Sequence, residues 1–115
     1  MTALESNCSI TAGTIALEFT DVPNDQLVIG RPQTGTAGLG TLGDVEIGVW
    51  EMTEGTMRDV EAEEVFVVLA GRAVVEFEDG AAALHLQAGD VARLAAGART
   101  VWTVTERLRK VYLTV

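Results

Sequence analysis

The chain has 115 residues, 48% of them hydrophobic and 22% charged, which is enough apolar material for one packed core and too little polarity for a disordered chain. Seventeen acidic residues against eight basic ones leave a formal charge of −9, and phosphate would repel such a chain, so neither nucleic acid nor an anionic membrane surface is an expected partner. Cys8 is the only cysteine, which excludes an internal disulfide and a Cys-rich zinc site; with no basic-then-apolar leader and no apolar run near the ~20 residues of a membrane span, the expected location is the cytoplasm.

In chain order, the predicted strands cover 14–20, 45–53, 56–60, 64–70, 72–78, 81–87, 91–95, 99–105 and 107–115. They are short runs rich in Val, Ile, Leu, Phe and Trp, punctuated by Gly55, Gly71, Gly80, Gly89 and Gly97, and none keeps a capped helical period. That pattern predicts an all-β sandwich or barrel of antiparallel strands. Residues 21–44, with Pro23, Pro32 and the Gly/Thr run from Thr34 to Gly43, read as a long irregular arm or surface loop, the functional alternative being a lid or dimer-crossing segment. The expected organisation is a single domain: 1–44 as an N-terminal strand and Gly/Thr-rich arm, and 45–115 as the barrel core. Asp79-Gly80 predicts a two-residue type I′ hairpin that sets Val75 opposite Leu84 and Ala73 opposite Leu86, with Arg72, Glu76, His85 and Gln87 on the other, largely polar face.

Two stretches carry a family resemblance. Glu64-Val-Phe-Val-Val-Leu-Ala-Gly71 resembles the Glu-x6-Gly end of the first cupin motif, and Gly89-x5-Ala95-Ala96-Gly97-x2-Thr100 has the spacing of the second. With Gly48-Val49-Trp50-Glu51, Asp90, Trp102 and Arg109-Lys110-Val111-Tyr112, residues 48 to 115 are similar to the small single-domain cupins, the branch of the ureidoglycine aminohydrolase and ethanolamine-utilisation cupins. The resemblance implies an antiparallel jelly-roll β-barrel. Gly71 and Gly89 are expected at turns between strands.

Metal-binding cupins usually use three His and one Glu, and the corresponding positions here are Met57, Asp59, Glu64 and Thr100, none of them His. Thioether and hydroxyl groups are poor ligands for borderline metals, so no cofactor is expected; the alternative is an oxygen-rich Mn or Mg site at Asp59 and Glu64 completed by water. His85, the lone histidine, is expected on the outer face, and Cys8 has no base beside it. If Glu64 points inward as the resemblance implies, alternation turns Phe66, Val68 and Ala70 inward with it, and Thr100, Trp102 and Val104 from the later strand. Trp50 and Met52 would add to the wall or pack as core. Glu64 is the best catalytic candidate, with Glu64, Phe66, Thr100, Trp102, Trp50 and Met52 as ligand-binding candidates. Its pKa would be raised by desolvation or lowered by pairing with Arg93 or Arg58. The acids of Asp59-Val-Glu-Ala-Glu-Glu64 read as a solvated rim, the alternative being an ion-paired contact between subunits or with a cationic ligand, since five of the eight basic residues fall after position 92. The expected function is small-molecule binding by a homodimer, the alternative being a metal-assisted enzyme on a small nitrogenous metabolite. A third reading is a structural module whose sheet, apolar also at Val65, Val67 and Leu69, is covered on both sides.

Overall fold

The computed structural model describes residues 3–115. Nine antiparallel strands follow in chain order: β1 (Phe19–Asp21), β2 (Leu27–Ile29), β3 (Gln33–Leu42), β4 (Val45–Met52), β5 (Gly55–Val60), β6 (Glu64–Phe77), β7 (Leu84–Gln87), β8 (Val91–Leu94) and β9 (Arg99–Thr114). Among the described residues there is no helix, hence none long and apolar enough to cross a membrane. The all-β, jelly-roll expectation holds.

Two long strands organise everything else. The first half of β6 pairs with β8 and with the second half of β9 (Glu64 opposite Thr114, Val68 opposite Lys110). Its second half pairs with β7 and with the first half of β9 (Ala73 opposite Val104, Phe77 opposite Thr100). On its far side β9 meets β4 through Leu108–Thr114 and β5 through Arg99–Val104. One layer is therefore β1-β3-β4-β9-β6-β8 and the other β2-β5-β9-β6-β7, with β6 and β9 passing from one to the other.

The passage is made at Gly71. The register of β6 against β9 shifts between Val68 and Ala73, and Gly71 has φ +91°, in the region that side chains avoid. A Cβ there would overlap the carbonyl of Arg107 on the neighbouring strand. Gly71 thus lies in a bulge inside one continuous strand, not at the expected turn between 64–70 and 72–78. The bulge also flips the alternation: Phe66 and Val68 point inward before it, Ala73 and Val75 after it, and Ala70, expected inward, is exposed. Stretches 99–105 and 107–115 likewise form the single strand β9.

The Gly/Thr run differs from expectation in the same direction, forming the ten-residue strand β3, with a register shift between Gly38 and Gly40, rather than a loop. Whereas Gly38 faces open space, the other two of its three glycines have a packing reason: an added Cβ would come within 2.9 Å of the Glu18 carbonyl at Gly35 and 3.0 Å of the Leu4 carbonyl at Gly40. Side chains there would push away the irregular N-terminal segment that crosses the strand. That segment is also clasped. Buried Glu51 accepts from Nε of Arg107 and of Arg109, and Nη1 of Arg109 donates to the carbonyls of Ala12 at 2.9 Å and Ile15 at 2.8 Å.

The β6–β7 hairpin keeps the expected register, Val75 with Leu84 and Ala73 with Leu86. Its connection is not type I′, since only Gly80 has positive φ; Gly80 N–H donates to the Phe77 carbonyl and Ala81 N–H to Oδ1 of Asp79, and 81–83 stay outside the strand. His85 is exposed on the outer face. The core between the layers contains Met52, Met57, Phe66, Val68, Val75, Leu94, Trp102, Val104 and Leu108.

Candidate functional site

At one end of this core the barrel opens into a cavity of about 280 Å³ lined by Trp50, Asp59, Glu61, Glu64, Trp102, Lys110 and Tyr112, among others. A larger groove, about 810 Å³, is the seam between the N-terminal segment and β3; among the described residues Glu18 is the only ionisable side chain on it. The chemistry lies in the smaller one.

Its floor is an ion pair. Glu64 opens β6 and Lys110 lies on β9, where Thr100, Trp102, Val104 and Leu108 are buried, Glu106 is exposed at the register shift opposite Arg72, and Lys110 continues the buried face, so both side chains enter the barrel. Nζ of Lys110 donates to Oε1 of Glu64 at 2.6 Å, and the side chains are 6% and 12% exposed. Three rings enclose the ammonium, with centroids 4.7 Å away for Trp50, 4.3 Å for Phe66 and 4.9 Å for Trp102. Each ring face is negative, so the cage compensates part of the hydration the ammonium loses on burial. Glu64 therefore pairs with Lys110, not with Arg93 or Arg58; Arg93 bonds Glu63 at 2.7 Å.

Glu61 closes one side. Its Oε2 accepts from Oγ1 of Thr100 at 2.6 Å and Nε1 of Trp102 at 2.8 Å, satisfying two polar groups in the barrel wall. The acidic run is thus divided: Glu61 and Glu64 are bonded inside the barrel mouth, whereas Glu63 pairs with Arg93 at the surface. Among the described residues Asp59 on β5 meets only the N–H of Val60, at 2.8 Å. Burial pushes its pKa above the ordinary value, and the charges of Glu61 and Glu64 add to that, against the Val60 bond and Lys110. Tyr112 fits because position 48 is glycine: a Cβ on Gly48 would overlap its ring, and its hydroxyl comes within 3.5 Å of Oγ1 of Thr36.

Of the residues expected to bind a ligand, Glu64, Trp50 and Trp102 line the cavity. Met52, Phe66 and Thr100 are buried behind it, Phe66 as a wall of the ammonium cage and Thr100 as a donor to Glu61. Sequence reasoning did not single out Glu61, Lys110 or Tyr112. Extending the alternation from Trp102 would have found the latter two.

The positions a cupin metal would use do not form a donor set. Met57 is in the core, Thr100 donates to Glu61, and Glu64 already receives the Lys110 ammonium, which a dication at Asp59 and Glu64 would have to displace. Among the described residues no group of three or more His, Cys, Asp or Glu is placed to hold a metal ion. The residues present do not fit the metal of other cupins.

A single antiparallel jelly-roll domain with its polar groups gathered at one end of the barrel has the fold of the cupins. Residues 39–112 match the model of the EutQ-like cupin domain, and the chain belongs to that family. Among solved structures it is similar to a protein of unknown function from Pseudomonas syringae pv. tomato, at 26% identity and TM-score 0.73, covering 88% of this chain and 45% of that one. The chain thus spans under half the length of that relative. It is also similar to EutQ of Clostridium difficile (21% identity, TM-score 0.70, covering 92% of this chain and 84% of that one). A putative ethanolamine utilization protein from Salmonella typhimurium resembles it in fold (21% identity, TM-score 0.62, covering 89% and 97%). None of the curated proteins matches the chain.

Proposed function

We propose that this cupin binds a small molecule in the mouth of its barrel, against the indoles of Trp50 and Trp102 and above the Glu64–Lys110 pair. The observation that carries the reading is the cavity of about 280 Å³ itself: it lies over polar groups fixed in place by internal bonds, and those groups include an acid, Asp59, with only a backbone partner. Pre-organised polar groups beside aromatic walls are what small-molecule sites consist of. Both tryptophans of the chain line this cavity, so intrinsic fluorescence reports on it alone. Titration with a panel of small neutral, cationic and anionic metabolites should give a saturable change in emission with at least one class. A flat response across the panel would remove the reading.

The second part of the proposal is a homodimer. The outer face of β4, β9, β6 and β8 carries Ile47, Leu113 and Val65 in one row and Val111, Val67 and Val91 in the next, with Val65 36% and Val91 67% exposed. A chain of formal charge −9 repels its own copy, and this face opposes that repulsion with an apolar patch whose β8 edge carries the surface ion pair of Arg93, opposite Val65, with Glu63. The lone cysteine, Cys8, is exposed and unpaired, which supports a reducing, cytoplasmic setting.

A further inference from the structure

The one buried lysine is also the only lysine in the chain; the seven other basic residues are arginines. Where a second buried carboxylate needs a cation, at Glu51, the chain supplies Arg107 and Arg109. Guanidinium is the weakly hydrated, forked donor suited to such pairs, whereas what lysine adds is a primary amine that becomes a nucleophile on losing a proton. At position 110 the acceptor for that proton is already in contact, Oε1 of Glu64 at 2.6 Å.

We infer that Lys110 is a covalent binding site for a small uncharged aldehyde or ketone, which its Nζ holds as a reversible imine. This rests on the small-molecule reading above and names the ligand class. Glu64 takes a proton from the ammonium and the freed amine adds to the carbonyl carbon. A proton moves from nitrogen to oxygen to give the neutral carbinolamine. Glu64 then returns its proton to the hydroxyl, which leaves as water, and the nitrogen lone pair closes the C=N bond. One ammonium and one carbonyl become one iminium and one water, with no net proton and no redox change.

Three features of the cavity favour that outcome. The iminium keeps the positive charge, so Glu64 and the rings of Trp50, Phe66 and Trp102 retain the cation they surround. Those rings also shield the nitrogen from water, which would hydrolyse the imine. Asp59 and Glu61 line the same space, so a carboxylate-bearing carbonyl compound is repelled and an uncharged one is not.

The test is reductive trapping. The intact chain is incubated with propanal and cyanoborohydride and the propylated residue located by peptide mass spectrometry, the α-amino group being the only competing amine. The expected result is a label on Lys110 that forms faster on the folded chain than on the same chain in urea. Glu64→Gln should slow it by roughly a hundredfold, the low end of general acid–base effects. Lys110→Arg, which keeps the charge, should abolish it. A label confined to the α-amino group, or a folded chain that reacts more slowly than the unfolded one, overturns the inference without needing either variant to fold. Should propanal change tryptophan emission yet leave Lys110 unlabelled, the covalent site falls and the binding site stands; if neither propanal nor any member of the panel changes emission and Lys110 is unlabelled, both fall.

Discussion

Glu61 shows how much one side chain can hold. A single oxygen accepts the Thr100 hydroxyl and the Trp102 indole N–H, so Glu61→Ala should cost about 1–3 kcal/mol in urea denaturation by leaving both donors unmatched. Glu61→Gln keeps an oxygen acceptor and should lose less; equal losses from the two would mean that the bonds are not what Glu61 contributes. The role of Glu61 was illegible in the sequence for a physical reason. A run of acids shows its own charge but not its partners, which here come from strands 30 to 46 residues away. The inward direction of Glu64 was legible, because motif spacing and strand alternation agree on it. Its partner was not: Lys110 stood in view as a basic residue near the chain's end, and only the pairing of β6 with β9 brings it across from Val68, on the same face of β6 as Glu64 and two pleat repeats along.

Strands read well where they alternate and poorly where glycine enters them. The register of the β6–β7 hairpin follows from its apolar face, yet β3 was read as a loop because Gly and Thr dominate it, and propensity has no way to register that a neighbouring segment needs the missing side chains' space. Two incompatible alternations, even-numbered up to Val68 and odd-numbered from Ala73, already implied a bulge between them. The N-terminal segment that β3 admits is held by Glu51, and this gives a pH dependence. Burial alone would raise the Glu51 pKa, but the bonds and charges of Arg109 and Arg107 outweigh it and hold the group below its ordinary 4.5. A depressed acid contributes stability that is complete above the unfolded value and lost as pH falls through the folded one. Amide exchange across Ala12–Phe19, corrected for intrinsic rates, should therefore rise below about pH 4.5 before the barrel itself opens. Arg109→Met should produce the same local exchange at neutral pH; protection unchanged in that variant would show that the clasp does not hold the segment.

For the molecule as a whole, the apolar outer face of β4, β9, β6 and β8 predicts association. Sedimentation over a wide concentration range should find a dimer, and Val91→Asp, at a position 67% exposed and so free of the core, should shift it to monomer without loss of β structure by circular dichroism. A wild-type chain that sediments as a monomer throughout would refute the interface. The fold class was readable from composition and punctuation alone, but the sharing of two strands between layers was not, since it depends on pairings far apart in sequence. That sharing bears on synthesis. β9 completes the hydrogen bonding of β4, β5 and β6 at once, so while a ribosome is still making the residues before Arg99, both layers lack the strand that joins β6 to β4 and to β5. The nascent chain must stay in a protected, unfinished state until β9 emerges, and any truncation that removes it removes the whole barrel rather than one edge.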